Sequence, residues 1–169
     1  MDFYIIKDYI GLYTPTILLF LTIFFLRNQL KYMFFFVFGF ILNFILNILL
    51  KLAIKEPRPS DDRKNIEIGI VNGARVGFDK YGMPSGHAQI CGYCLSFVLL
   101  TLNSPFITGL YLVLTTNSLM QRYLYNNHTI LQLTIGLIIG VLFGFLIYKI
   151  GDKYIMGNIK AKRDDNYLF

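Results

Sequence analysis

Only two histidines occur in this 169-residue chain, and each stands where a polar turn meets an apolar run. His87 closes the stretch Tyr81-Gly82-Met83-Pro84-Ser85-Gly86-His87. Pro84 suits a helix entrance, where its missing N–H costs little. Ser85, Gly86 and His87 then fall in the first turn. That turn offers free backbone N–H groups, a hydroxyl and an imidazole, and such a helix start binds anions, phosphate above all. The alternative is a plain helix cap with an idle histidine beside it. His128 follows Tyr125-Asn126-Asn127, and Gln132 lies one helical turn further, on the same face, as an orienting amide. Lys51, Arg58 and Arg122 supply cations, and the two arginines can grip phosphate oxygens bidentately. Together these residues suit the recognition of a phosphate group.

The elements that must position them are membrane helices. Hydrophobic residues make up 55% of the chain and charged residues 15%, with a mean hydropathy of +0.53. A soluble domain of this length has too small a core for so much apolar side chain, so the expected solvent is lipid. The net charge is +6, but the cations sit beside apolar spans, which favours membrane and phosphate over nucleic acid. Cys91 and Cys94 lie inside an apolar run with no second pair and read as core residues.

The pattern predicts one all-α domain over 1–169, a polytopic helical bundle with about five membrane spans. Residues 2–12 suit an interfacial helix, and no signal peptide is expected. Thr14-Pro15 reads as a helix start, with span one running to Leu26, the alternative being a kinked extension of that span before Pro15. Further spans are expected at about 32–54, 86–102, 106–123 and 128–149, with a long polar loop over 55–83 and a mobile tail over 150–169. Asn43, Asn47 and Lys51 form a polar stripe that should face inward, unless Lys51 snorkels to the membrane edge. Gly136, Gly140 and Gly144 continue the His128–Gln132 face at four-residue spacing, as a close-packing surface or a dimer face. This threading gathers all the candidate residues at one end of the bundle. Counting Lys and Arg at the two ends gives a near balance, so charge alone does not orient the chain.

Three blocks carry a resemblance. Lys51-x6-Arg58-Pro59, Pro84-Ser85-Gly86-His87 and Arg122-x5-His128 resemble the signature blocks of the type 2 phosphatidic acid phosphatase and haloperoxidase superfamily. The likeness covers 51–132. It implies a membrane lipid phosphatase that works without a metal or cofactor, with its site on the extracytosolic face. His128 would attack phosphorus and form a phosphohistidine, and His87 would protonate the leaving oxygen. Lys51, Arg58, Ser85, Gly86 and Arg122 would hold the phosphate.

Two positions depart from the pattern. Gln121 stands where Ser is usual, and Gln132 where Asp is usual. The dolichyl-diphosphatase branch also has Gln at the second of these. It is similar again at Glu56-Pro57-Arg58-Pro59, at Gly82-Met83-Pro84-Ser85 with His87 and Gln89, and at His128-Thr129, although it usually has Ser in place of Gly86. The implied substrate is a polyprenyl diphosphate, dolichyl or undecaprenyl, cleaved to the monophosphate. Phosphatidic acid or another lipid monophosphate is the alternative substrate, and an inactive lipid-binding membrane protein the alternative function. A vanadate-dependent peroxidase does not suit a small membrane bundle, and a transporter does not suit five spans without a repeat. The expected partners are the lipid substrate and the bilayer. No nucleic acid is called for, and no oligomeric state is implied.

Overall fold

In lipid a backbone must satisfy its N–H and C=O groups internally, so the apolar runs fold as helices. The computed structural model describes residues 3–64 and 71–164. These form five α-helices: α1 (Phe3–Phe25), α2 (Leu30–Ile54), α3 (Gly86–Leu102), α4 (Pro105–Leu124) and α5 (Ile130–Asp164). Apart from the 55–85 segment the connections are short, so successive helices run antiparallel. The protein is an all-α helical bundle. Within the 55–85 segment, β1 (Asp62–Lys64) pairs antiparallel with β2 (Val71–Ala74), and Gly77–Lys80 forms a 3-10 turn. Pro57 and Tyr81 bridge the two ends of the segment. Its stretch 65–70, including Gly69, lies outside the described residues.

Three helices are long and apolar enough to cross a membrane on their own: Ile5–Phe25, Leu30–Ile54 and Ile130–Ile155. Five such spans were expected. The other two helices differ because they carry polar side chains inward. Gln89 and Ser96 are buried on α3, and Thr115, Ser118, Gln121 and Arg122 on α4. Large apolar side chains such as Phe20, Phe34, Val113 and Leu142 instead point outward, as a lipid-facing surface requires.

Helix α3 is the core element. Its Tyr93 stacks with Phe36 of α2, its Phe97 packs tilted against the same ring, and Tyr93 Oη donates to Phe36 O at 2.7 Å. The glycine stripe of α5 presses on α3 within the same chain. A Cβ at Gly136 would come within 2.6 Å of Ser85 O, and one at Gly144 within 2.7 Å of Tyr93 O. At Gly140 it would overlap Gln89 O and lie 2.9 Å from Tyr93 N. The stripe is therefore an internal packing face. The polar stripe of α2 also faces inward. Asn47 Nδ2 donates to Gln89 Oε1 at 2.9 Å, and Gln89 Nε2 returns a bond to Asn43 Oδ1 at 2.9 Å.

Two expectations are corrected. Residues 3–13 are not a separate interfacial helix, and Thr14 is not a cap: α1 runs through Pro15 without a break. Thr14 Oγ1 donates to Ile10 O at 2.7 Å, the pattern of a hydroxyl inside a helix. Pro15 has no N–H for Gly11 O, and that carbonyl accepts from Ser118 Oγ at 2.8 Å instead. Neighbouring helices restore such lost bonds in membranes, which is why the proline is tolerated. The second correction concerns α5, which continues past 149 to Asp164.

Because backbone atoms cannot move aside, Gly140→Ala is expected to destabilise the protein by about 1–3 kcal/mol. A Cβ at Gly109 of α4 would meet nothing within 4 Å. Gly109→Ala should therefore stabilise by about 0.5–1 kcal/mol through helix propensity. Thermal unfolding in detergent checks both signs.

Candidate active site

The ends of α2 and α4, the starts of α3 and α5, and the 55–85 segment enclose a cavity of about 270 Å³. Lys51, Arg58, Gly86, His87, Arg122 and His128 all line it, so members of all three sequence blocks meet there. Arg75, Asp79 and Asn127 complete its polar wall, and Leu12, Pro15, Phe44 and Ile90 form an apolar one.

Each side chain is held by an identifiable partner. Lys51 is 3% exposed and donates to Tyr81 O at 2.7 Å, so it does not snorkel. Arg58 Nε donates to Asp79 O and Nη2 to Asp79 Oδ1, both at 2.8 Å. Arg122 Nε donates to Gln121 Oε1 at 2.6 Å, so the glutamine at the unusual position pins the arginine. Ser85 is the N-cap of α3, its Oγ accepting from Ala88 N at 3.5 Å. It is fully buried, and Gly86 rather than Ser85 lines the cavity. His87 begins α3 and places Nε2 3.0 Å from Leu12 O, in the turn of α1 that contains Pro15. That bond directs the Nε2 proton to the carbonyl and leaves Nδ1 as the other ring nitrogen.

His128 lies in the turn before α5 and is 3% exposed. Arg58 Nη1 is 2.9 Å from its Nε2, and Gln132 Oε1 is 3.2 Å from its Nδ1. A guanidinium can only donate and an amide oxygen can only accept, so the ring carries its proton on Nδ1 and a lone pair on Nε2. Gln132 also closes a capping box. Thr129 Oγ1 accepts from Gln132 N at 3.1 Å, and Gln132 Oε1 accepts from Thr129 N at 3.3 Å. The amide's other end donates to Glu56 Oε1 at 2.8 Å and Pro57 O at 2.9 Å. The blocks are also tied directly, because Ser85 N–H donates to Gln132 O at 3.1 Å.

Several of these residues were not anticipated. Arg75 is 8% exposed; its Nη2 donates to Asn127 Oδ1 at 2.7 Å, and its Nη1 lies 3.4 Å from Asp79 Oδ2. Asp79 thus faces Arg58 with one carboxylate oxygen and Arg75 with the other, and it is the one carboxylate among the described lining residues. Charged residues in a polar loop are ordinary, so these two carried no signal. Leu12 and Pro15 were hidden because α1 shares no motif with the blocks. Thr129-x-x-Gln132 was a readable signal, the Thr-x-x-Gln form of a capping box.

Four cations, two imidazoles and one carboxylate surround a cavity with one apolar wall, a lining that suits a phosphate group carried on an apolar chain. The family model of the PAP2 superfamily matches residues 32–156, and the chain belongs to that superfamily. Among curated proteins it is similar to the palmitoyl-protein thioesterase–dolichyl pyrophosphate phosphatase fusion 1 of Schizosaccharomyces pombe, 29% identical over 120 residues. That match covers 64% of this chain and 17% of the relative. No solved structure matches the chain significantly.

Burial, with the Arg58 and Lys51 cations close by, holds His128 well below the ordinary imidazole range. A folded-state value below the unfolded value of about 6.5 means that this group stabilises the fold above that pH. The contribution is lost as pH falls toward the folded value. Nitrogen-15 spectra should show His128 neutral with its proton on Nδ1 at about pH 6. His128→Asn should reduce the loss of stability on acidification below about pH 6.5, measured by thermal unfolding.

Proposed function

We propose that the protein hydrolyses a polyprenyl diphosphate to the monophosphate, through a phosphohistidine on His128. The observation that carries this reading is the unprotonated His128 Nε2, which faces a cavity lined by Lys51, Arg58, Arg75 and Arg122. In the first step the terminal phosphate takes up the donors of Arg58, freeing Nε2. The lone pair of Nε2 attacks phosphorus and the bridging P–O bond breaks. His87, carrying protons on both Nε2 and Nδ1 once the substrate's negative charge offsets the surrounding cations, gives its Nδ1 proton to the departing lipid monophosphate. In the second step His87 takes a proton from water, the resulting hydroxide attacks phosphorus, and the N–P bond breaks. Inorganic phosphate leaves and His128 is restored. Lys51, the three arginines and the Gly86 backbone hold the oxygens as charge develops on them. Ser85 contributes as the cap that fixes this turn.

The apolar wall of Leu12, Pro15, Phe44 and Ile90 borders His87 and suits a prenyl chain. It puts the leaving oxygen on the side of the general acid. The name of the fission-yeast relative supports a diphosphate over a monophosphate substrate. Among the described residues no three His, Cys, Asp or Glu side chains converge, and each step above uses side chains of this chain alone. Phosphate release should be fastest from polyprenyl diphosphates in a panel that includes phosphatidic acid, and should persist in EDTA. His128→Ala should abolish release, and His87→Ala should lower it by roughly 10²–10⁴, the scale of general acid catalysis. Release from phosphatidic acid alone would reassign the substrate, and turnover by His128→Ala would remove the mechanism.

We place the site on the extracytosolic face, where the Lys80 loop meets water and the α1–α2 turn at Arg27 lies at the opposite end. A membrane-impermeant maleimide added outside should label Lys80→Cys and not Arg27→Cys; Cys91 and Cys94 are buried and will not interfere. The reverse pattern would overturn this orientation.

A further inference from the structure

The Gln132 amide is bounded on every side. Its oxygen faces two donors, His128 Nδ1 at 3.2 Å and Thr129 N at 3.3 Å. Its nitrogen faces two acceptors, Glu56 Oε1 at 2.8 Å and Pro57 O at 2.9 Å. Rotating the amide by half a turn would set donors against donors and acceptors against acceptors, so four contacts oppose a flip. Gly82 closes the remaining side. A Cβ there would come within 2.6 Å of Gln132 Cδ, and Gly82 N–H anchors the strap by donating to Glu56 O at 2.8 Å. Lys55, in the left-handed region at φ 55°, ends α2 and turns the chain so that Glu56 meets Gln132.

Glu56 is not among the residues that line the cavity, yet its carboxylate lies one amide away from His128. We infer that Glu56 is a positioning residue for His128, acting through Gln132. The inference rests on the reading of His128 as the nucleophile. A carboxylate directly on Nδ1 would fix the tautomer and balance the positive charge of a phosphorylated imidazole. Gln132 alone does only the first. Glu56 supplies the second from one residue further out. The amide dipole lies between them with its N–H end toward the carboxylate and its oxygen toward the imidazole. The charge is thereby relayed without a second anion touching the ring.

The test separates charge from fold. Glu56→Gln keeps the shape and an acceptor but removes the charge. Turnover should fall roughly ten- to a hundredfold, the scale of the partners behind a metal-bound imidazole, with KM little changed. Nitrogen-15 spectra should still show the Nδ1–H tautomer, which Arg58 and Thr129 continue to impose, with the Nδ1 resonance moved from its wild-type position by the loss of the charge. Gly82→Ala, which leaves Glu56 in place but pushes on the amide, should move the same resonance. The sharpest arm is the pair with Gln132→Asp. There two carboxylates face each other, so adding Glu56→Gln should raise activity, the opposite of its effect in the wild type. An unmoved Nδ1 resonance in Glu56→Gln overturns the inference whatever the substrate proves to be. So does wild-type turnover in that variant, or a loss of equal size in both backgrounds. Turnover by His128→Ala would instead overturn the reading on which the inference rests, and the nitrogen-15 arm would still decide the role of Glu56.

Discussion

The backbone of α5 approaches α3 more closely than any side chain would allow, and the site depends on that approach. Gly136 admits Ser85 to within hydrogen-bonding distance of Gln132 O, at 3.1 Å. This one backbone bond joins the start of α3, with Gly86 and His87, to the first turn of α5, next to His128. Between lipid-facing helices there is no hydrophobic driving force, so close packing and interhelical hydrogen bonds must hold the contact. The glycines supply both. They shorten the distance, and they expose backbone groups that larger residues would cover.

A second constraint is electrostatic. Lys51, Arg75 and Arg122 are each less than a tenth exposed, and the Arg58 side chain is 7% exposed. Burying cations is costly unless each has partners of good geometry. The protein meets that cost with carbonyl oxygens at Tyr81, Asp79 and Asn127, with the amide oxygens of Gln121 and Asn127, and with the Asp79 carboxylate. The cavity therefore keeps an excess of positive charge. A phosphate relieves that excess, and the lone carboxylate facing both Arg58 and Arg75 is the group it would replace. Burial and the same excess together hold His128 neutral, so the field that would bind the substrate also helps to preserve the lone pair that would attack it.

Helix α1 enters through a defect. Pro15 breaks the hydrogen-bond ladder inside an otherwise regular helix, and Ser118 of α4 occupies the carbonyl left over. One residue along, Leu12 O receives the His87 ring. Tyr125 Oη donates to Asp8 in the same helix and fastens its first turns beside the α4–α5 turn. A helix with no motif of its own thus orients one of the two imidazoles.

By itself the sequence determined the parts that depend on residue type and on short-range period. Apolar length made the helices, four-residue spacing turned Asn43, Asn47 and Lys51 inward, and the glycine spacing made α5 a packing face. Of the phosphate-binding and catalytic residues that the three blocks named, Lys51, Arg58, Gly86, His87, Arg122 and His128 line the cavity, while the Ser85 hydroxyl serves the helix cap. Tertiary structure alone decided what depends on chain crossing. It joined 3–25 into one helix through Pro15, because a partner 107 residues away restores the missing bond. It carried Arg75 and Asp79 from a polar loop into the site, and it set Glu56 behind Gln132. Each of those contacts links residues far apart in the chain, where spacing carries no information. Their geometry exists only once α3 and α5 have closed on one another.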